Sequence, residues 1–287
     1  MTYTLYLGDR AYSSWSLRAW LLREVWELPL DTIYVDFNAA DVADQLADVA
    51  PARTVPTLKT PEGAIISESL AIAEELATRF PDADLWPADP LSRATARSLS
   101  SEMHAGFGPL RADCPMNLRV AYSSFEPSAE VQADLRRLEA IWEAALAASG
   151  GPWLGGTYSI ADTFYAPVAA RIAGYGLEVS RVARGYVDQH LAHLPFRRWR
   201  AMGLVRGATL ERYRRDYEVT AWPGPSLLAA TAVAPQAAEN ERCPYSGDPV
   251  TDFLEFEGKV YGFCNPFCRD KTVADPEAWP AFIALTR

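Results

Sequence analysis

The 287-residue sequence lacks an excess of positive charge: 27 lysines and arginines stand against 37 acidic residues, for a net charge of −10. Without a basic face there is little to hold a phosphate backbone, which argues against nucleic acid as a partner. The same deficit argues against attraction to an anionic membrane surface. No apolar run approaches the roughly 20 residues that span a bilayer. The opening residues, Met1 to Leu7, alternate like a strand and lack the basic start and apolar stretch of a signal peptide. Cysteine is scarce, at four residues, and three of those fall between Cys243 and Cys268. With no signal peptide, such usage predicts a cytoplasmic, reducing setting with thiols free or on metal. Hydrophobic residues make up 49%, enough for full cores, and the length suits two domains plus a small appendage.

The hydrophobic pattern predicts strands at 2–7, 32–36, 57–59 and 64–66, with helices at 14–27, 39–49 and 68–80. That order, βαβαββα over residues 1–80, implies a mixed sheet with helices on its faces. A Pro- and Asp-containing stretch at 81–90 reads as a linker. From 91 to 217 no convincing strand is found, and helices fit 91–113, 127–148 and 160–174 with shorter pieces after them. Ser159 and Asp162 stand at capping-box spacing before the third of these. Residues 218–241 read as a Pro- and Ala-rich tether. Residues 242–287 form a small cysteine module of strands and short helices, with a hairpin turning at Glu257-Gly258.

Three stretches of the first 80 residues can carry chemistry. Pro56 opens a strand to whose ladder it cannot donate, which leaves the backbone before it, at Val55, free to face a ligand. Glu68-Ser69 begins a helix, where free N–H groups favour a carboxylate and Glu68 can hold an ammonium. Ser13 and Ser14 lie between the first strand and first helix, where a hydroxyl could donate to a thiolate and lower its pKa. Each also has a plain reading, as a strand-start proline, a helix cap or a helix cap respectively.

In this order, Ser13-Ser14-Trp15-Ser16-Leu17-Arg18, Val55-Pro56 and Glu68-Ser69 resemble the glutathione transferases over residues 2–217, most closely the serine-type members that include the zeta class. The resemblance implies a thioredoxin-like first domain and an all-helical second. It implies that Ser13 or Ser14 stabilises a glutathione thiolate, with the zeta-like register favouring Ser13. Val55 across Pro56 would meet the cysteinyl part, and Glu68 and Ser69 the γ-glutamyl end. Glutathione would be cosubstrate, a small electrophile the second substrate, and the protein a homodimer. The zeta class carries a cysteine where Trp15 stands, which argues against zeta-type isomerisation. Gly106, Gly108 and Pro109 interrupt the first long helix of the second domain. Around that break His104, Arg111 and Cys114 are candidates for the electrophile pocket, with Arg111 suited to an anion; the stronger reading of His104 is a satisfied surface or core histidine, and of Cys114 a buried small residue.

Cys243, Cys264 and Cys268 follow a Cys-x20-Cys-x3-Cys spacing. Two close thiols and a third returning across a hairpin suit one soft or borderline ion. The spacing and its aromatic setting resemble small modules of the TRASH and YHS type, which implies metal binding, with zinc the default ion. No histidine lies in the module, so Asp248, Asp252, Asp270, Asp275, water or a partner's group is left as fourth ligand. Three buried reduced thiols, or one labile disulfide, are the plain alternatives. The expected function is a glutathione-dependent transferase; the alternative is a glutathione- or metal-binding sensor on the same scaffold.

Overall fold

A computed structural model describes residues 2–287 and places them in two compact units. The first comprises residues up to 191 together with 208–223; the second comprises 192–207 and 224–287.

The first unit begins with β1 (Tyr3–Leu7), α1 (Ser14–Val25), β2 (Leu30–Tyr34), α2 (Val42–Gln45), β3 (Thr57–Lys59), β4 (Ile65–Ser67) and α3 (Ser69–Arg79). The sheet order is β2-β1-β3-β4, with β1 and β2 parallel and the other neighbours antiparallel. This is the mixed sheet that the βαβαββα pattern predicts. The helix expected over 39–49 is reduced to the four-residue α2 and a 3-10 turn at Ala47–Val49. Its sequence places apolar residues only sparsely, and just Leu46 and Val49 reach the core.

The helical part follows: α4 (Pro90–Ala105), α5 (Gly108–Asp113), β5 (Ala121–Tyr122), α6 (Ala129–Ser149), α7 (Ile160–Gly174), α8 (Arg181–Ala192) and β6 (Val219–Thr220). The glycines do break the first long helix, at Gly106-Phe107, where Phe107 takes a left-handed conformation. The two-residue β5–β6 pair falls where no strand was expected, too short to leave a pattern. Helix α7 is the axis of this region. All fifteen of its residues are buried, and it packs on both α1 and α4. A helix apolar on every side must be enclosed. It starts with the predicted capping box, in which Ser159 and Asp162 satisfy each other's backbone amides.

The second unit holds α9 (Leu194–Val205), β7 (Ala230–Val233), β8 (Asp252–Phe256), β9 (Lys259–Phe263), α10 (Pro266–Ala274) and α11 (Pro280–Thr286). The β8–β9 hairpin turns at Glu257 and Gly258, both with positive φ (51° and 76°), as a tight two-residue turn demands. Its inner face supplies Leu254, Phe256, Tyr261 and Phe263, which close with Phe282 of α11 into a small core. Strand β7 comes from the stretch read as a tether and pairs antiparallel with β8. Helix α9 packs on α10 and is tied in by Arg197, whose guanidinium meets both oxygens of Asp275 at 2.7 and 2.9 Å.

Candidate functional site

The loop from β1 to α1 sets the first site. At Gly8 an added Cβ would come within 2.3 Å of the Phe37 ring, so glycine lets that ring lie against the chain where any larger residue would push it aside. The Gly8 amide donates to Ser16 Oγ at 2.8 Å, which ties the strand's end to the helix's start. Ser13 is the N-cap of α1. Its oxygen accepts from the Ser16 amide at 3.3 Å and its hydroxyl donates to Ser16 Oγ at 2.8 Å. Ser14 is placed differently: its oxygen accepts from Arg171 Nη2 at 3.3 Å, and its hydroxyl has no acceptor among the described residues.

Both serines line a cavity of about 680 Å3 within the first unit, with Val55, Arg111, Arg171 and Tyr213 also on its wall. The Val55–Pro56 peptide is cis, and the β1–β3 ladder begins only at Thr57, so the Val55 amide and carbonyl lie outside it. Glu68 sits at φ 72°, ψ 123°, a conformation that costs a non-glycine residue about 1–3 kcal/mol. Its carboxylate is mostly exposed and lies 3.5 Å from His104 Nε2. Ser69 is fully buried, and its hydroxyl has no partner among the described residues.

Of the residues expected around the helix break, Arg111 reaches the cavity. Its guanidinium donates to the carbonyls of His104 and Gly106 and lies over the Trp15 ring at 4.7 Å. His104 is off the cavity wall, edge-on to Trp15 and facing Glu68. Burial and the Arg18 charge push its pKa down, against the pull of Glu68. Cys114 is a correction: it is fully buried and off the cavity wall, and burial pushes its thiol up to about 12. What α5 presents there is the Cys114 carbonyl, which receives Arg171 Nε at 2.9 Å.

The sequence reading missed Arg171. It is the one charged side chain in α7 besides the capping Asp162, and a lone cation in a helix apolar all round was the available signal. Arg18, on α1, is also buried, between the rings of Trp15 and Phe164, with Nε and Nη1 unpartnered among the described residues. Burial and the neighbouring guanidinium groups lower the pKa of both, Arg171 to about 10. Arg18, Arg111 and Arg171 are near enough to repel one another, and the cavity wall adds Arg53 and Arg212. Such a gathering favours an anion.

Two family models match this chain side by side. The N-terminal domain of the glutathione S-transferases matches residues 12–79, and their C-terminal domain matches residues 126–201. The chain belongs to the glutathione S-transferase family. It is 37% identical to a probable maleylacetoacetate isomerase of Caenorhabditis elegans over 106 residues, 37% of this chain and 48% of that one. The match thus spans about half the length of that relative. It is 27% identical to the maleylacetoacetate isomerase of Rattus norvegicus over 179 residues, 61% of this chain and 81% of that one. A glutathione transferase homologue from Burkholderia, solved with bound glutathione, superposes with a TM-score of 0.55 at 24% identity, covering 72% of this chain and all of that one. This last likeness supports the transferase fold. The cysteine module lies beyond both family matches.

In that module Cys243, Cys264 and Cys268 converge, with all three sulfurs within 4.8 Å of one another. Cys243 stands on the turn closed by the Gly247 amide, Cys264 ends the hairpin, and Cys268 lies in the first turn of α10. Thiolates on one zinc ion, at about 2.3 Å each, stand roughly 3.8 Å apart; Cys264 and Cys268 are separated by 3.9 Å. Burial pushes the Cys243 thiol up, but the amides of Tyr245, Cys264 and Ser246 outweigh it and bring it to about 7. Burial lifts Cys268 to about 12, against the pull of Lys271. The aspartates considered as a fourth ligand do not join the group. Asp252 and Asp270 pair with Arg269, and Asp275 pairs with Arg197. The donor nearest in kind is Ser246, whose hydroxyl reaches Cys264 Sγ at 3.3 Å.

Proposed function

We propose that this chain is a glutathione-dependent enzyme acting on a small anionic electrophile, with Ser14 as the donor to the glutathione thiolate. The observation that carries the reading is the Ser14–Arg171 contact on the cavity wall. The zeta-like register points to Ser13, but that hydroxyl is committed to Ser16. The Ser14 oxygen accepts a hydrogen bond from a cation, which polarises its own O–H and strengthens it as a donor. A stronger donor favours the thiolate and lowers the thiol pKa.

In this reading Val55 offers its backbone to the cysteinyl part, and Glu68 and Ser69 hold the γ-glutamyl end. The buried Ser69 hydroxyl without a partner suits a ligand carboxylate. The thiol gives its proton to solvent, and the sulfur lone pair forms the S–C bond with the electrophile. The bond that breaks depends on the electrophile. Addition to a conjugated double bond followed by loss of the same thiolate would isomerise it, as the names of the relatives suggest. Substitution would instead expel a leaving group. Arg111 and Arg171 would orient the anion.

Isothermal titration with glutathione, then turnover of a maleyl and an aryl halide substrate, tests this. Absence of binding at millimolar glutathione would end it. We also expect a homodimer, checked by light scattering, and a cytoplasmic location, checked by fractionation. Among the described residues no helix is long and apolar enough to cross a membrane.

The convergent cysteines favour a second role beside the first. The second unit would hold one borderline metal ion through Cys243, Cys264 and Cys268, with zinc the default in a reducing compartment. Such a centre would serve stability or metal sensing. Elemental analysis of the purified chain against Cys264→Ser tests it.

A further inference from the structure

We infer that Arg18 belongs to the glutathione site as a buried guanidinium whose counter-charge is the bound thiolate, an inference that rests on the glutathione reading just given.

Two facts of placement bring Arg18 to the thiolate. On α1 it follows Ser14 by four residues, so the two stand one turn apart on one face, with Cβ atoms about 5–6 Å apart. On α7, Arg171 meets Ser14, and the ring of Phe164 lies 4.7 Å from the Arg18 guanidinium. Phe164 and Arg171 are seven residues apart and so share a face of their helix. The two helices thus meet in successive layers, Ser14 with Arg171 and Arg18 with Phe164. The first layer opens on the cavity. In the second, Arg18 is off the cavity wall, while Trp15 is on it and carries Arg18 over its ring at 4.4 Å.

At 2% exposure Arg18 has given up nearly all of its water. Nε and Nη1 have no hydrogen-bond partner among the described residues. The two rings receive the cation but bring no net negative charge. The charges that act on it are those of Arg171 and Arg111, both positive. The neighbouring Tyr165 stays neutral, since burial raises its pKa, and its hydroxyl donates to the Leu99 carbonyl. The carboxylates of this region are turned elsewhere. Glu102 holds Arg137 with both oxygens, at 2.7 and 2.9 Å, and Glu68 faces His104 and solvent.

A charge kept in such a place costs the ligand-free fold stability until an anion arrives. An anion formed beside Ser14 forms one helical turn from this charge, through a medium that screens poorly. Ser14 favours the thiolate by a hydrogen bond; Arg18 favours it by its field alone.

The experiment uses the full chain, with glutathione and S-methylglutathione as probes. The methyl thioether has no thiol proton to lose, so it reports on binding of the peptide frame. Arg18→Met and Arg18→Gln remove the charge and keep much of the bulk. Both should raise the thiol pKa of bound glutathione by roughly one unit, a tenfold lower ratio of thiolate to thiol at fixed pH, read by ultraviolet titration of the binary complex. Both should bind S-methylglutathione as wild type does. Without ligand, Arg18→Met should melt no lower than wild type, because an unpaired buried charge is gone. A purely structural Arg18 gives the opposite pattern, a lower melting temperature with an unmoved thiol pKa. An unmoved thiol pKa in both variants, or failure of both to fold, overturns the role of Arg18 and leaves the glutathione reading standing. A wild type that binds no glutathione, or binds it with the thiol pKa of free glutathione, overturns that reading and the role of Arg18 with it.

Discussion

Arg171 reaches from the buried helix α7 to Ser14 at the mouth of α1, with Nη2 3.3 Å from Oγ. The same guanidinium donates to the carbonyls of Cys114 and Pro167, so three fixed acceptors hold it in one pose. This contact separates two adjacent serines that spacing could not separate, and the two should respond differently to substitution.

Ser14→Ala should raise the thiol pKa of bound glutathione by roughly one unit or more, each unit being about 1.4 kcal/mol. Ultraviolet titration of the thiolate in the binary complex measures this directly. Ser13→Ala should instead cost about 1 kcal/mol of stability as a lost helix cap, with the bound thiol little changed. The reverse pattern would return the role to Ser13.

Arg111 lines the cavity, while its own hydrogen bonds go to carbonyls and, among the described residues, leave its charge without a carboxylate. Arg111→Met should therefore lower kcat/KM for a carboxylate-bearing electrophile by about 10- to 100-fold, the worth of one charged hydrogen bond. A neutral aryl halide should lose far less. Equal losses for both would show that Arg111 supports the helix break and does not read the substrate.

Much of this was legible in the sequence, for identifiable reasons. The βαβαββα order, the break at Gly106-Phe107, the capping box and the Glu257-Gly258 turn are each written in local chemistry. What was not legible depends on distant partners. Arg171 meets Ser14 across 157 positions. Strand β7 looks like a tether because its four residues alternate too briefly, and only β8 makes it a strand. Cys114 drew notice for its chemistry, yet burial by α7 and its neighbours decides its state. The cysteine spacing did foretell convergence, since a hairpin and a helix start bring such positions together.

The pair Arg197–Asp275 joins α9 to the segment after α10 within the second unit, with side chains 11% and 6% exposed. Removing one partner leaves a buried charge, so Arg197→Met should cost about 3–5 kcal/mol of that unit's stability. Replacing both, as Arg197→Met with Asp275→Leu, should recover a good part of it. Amide hydrogen exchange within β8 and β9 reports on the right unit, since those strands belong to it. An Arg197→Met chain exchanging like wild type would mean that α9 is held by its apolar contacts alone.

Asp162 offers a test by pH. It is fully buried and accepts from the amides of Leu154 and Ser159 and the hydroxyls of Ser159 and Tyr186, yet burial outweighs these donors and lifts its pKa from 3.8 to about 6. A raised folded pKa means that the folded chain keeps a proton the unfolded chain has released. Stability from this group is full below pH 3.8 and is lost as pH climbs through about 6. The loss amounts to about 3 kcal/mol over that window. Asp162→Asn cannot ionise and should flatten this slope, while losing about 1 kcal/mol of the capping box at every pH. Urea unfolding of both chains at several pH values between 4 and 7 should show the variant about 1 kcal/mol below wild type at the acid end and about 2 kcal/mol above it near neutrality, with the curves crossing between. A constant gap across the range would mean that the four donors hold Asp162 ionised throughout.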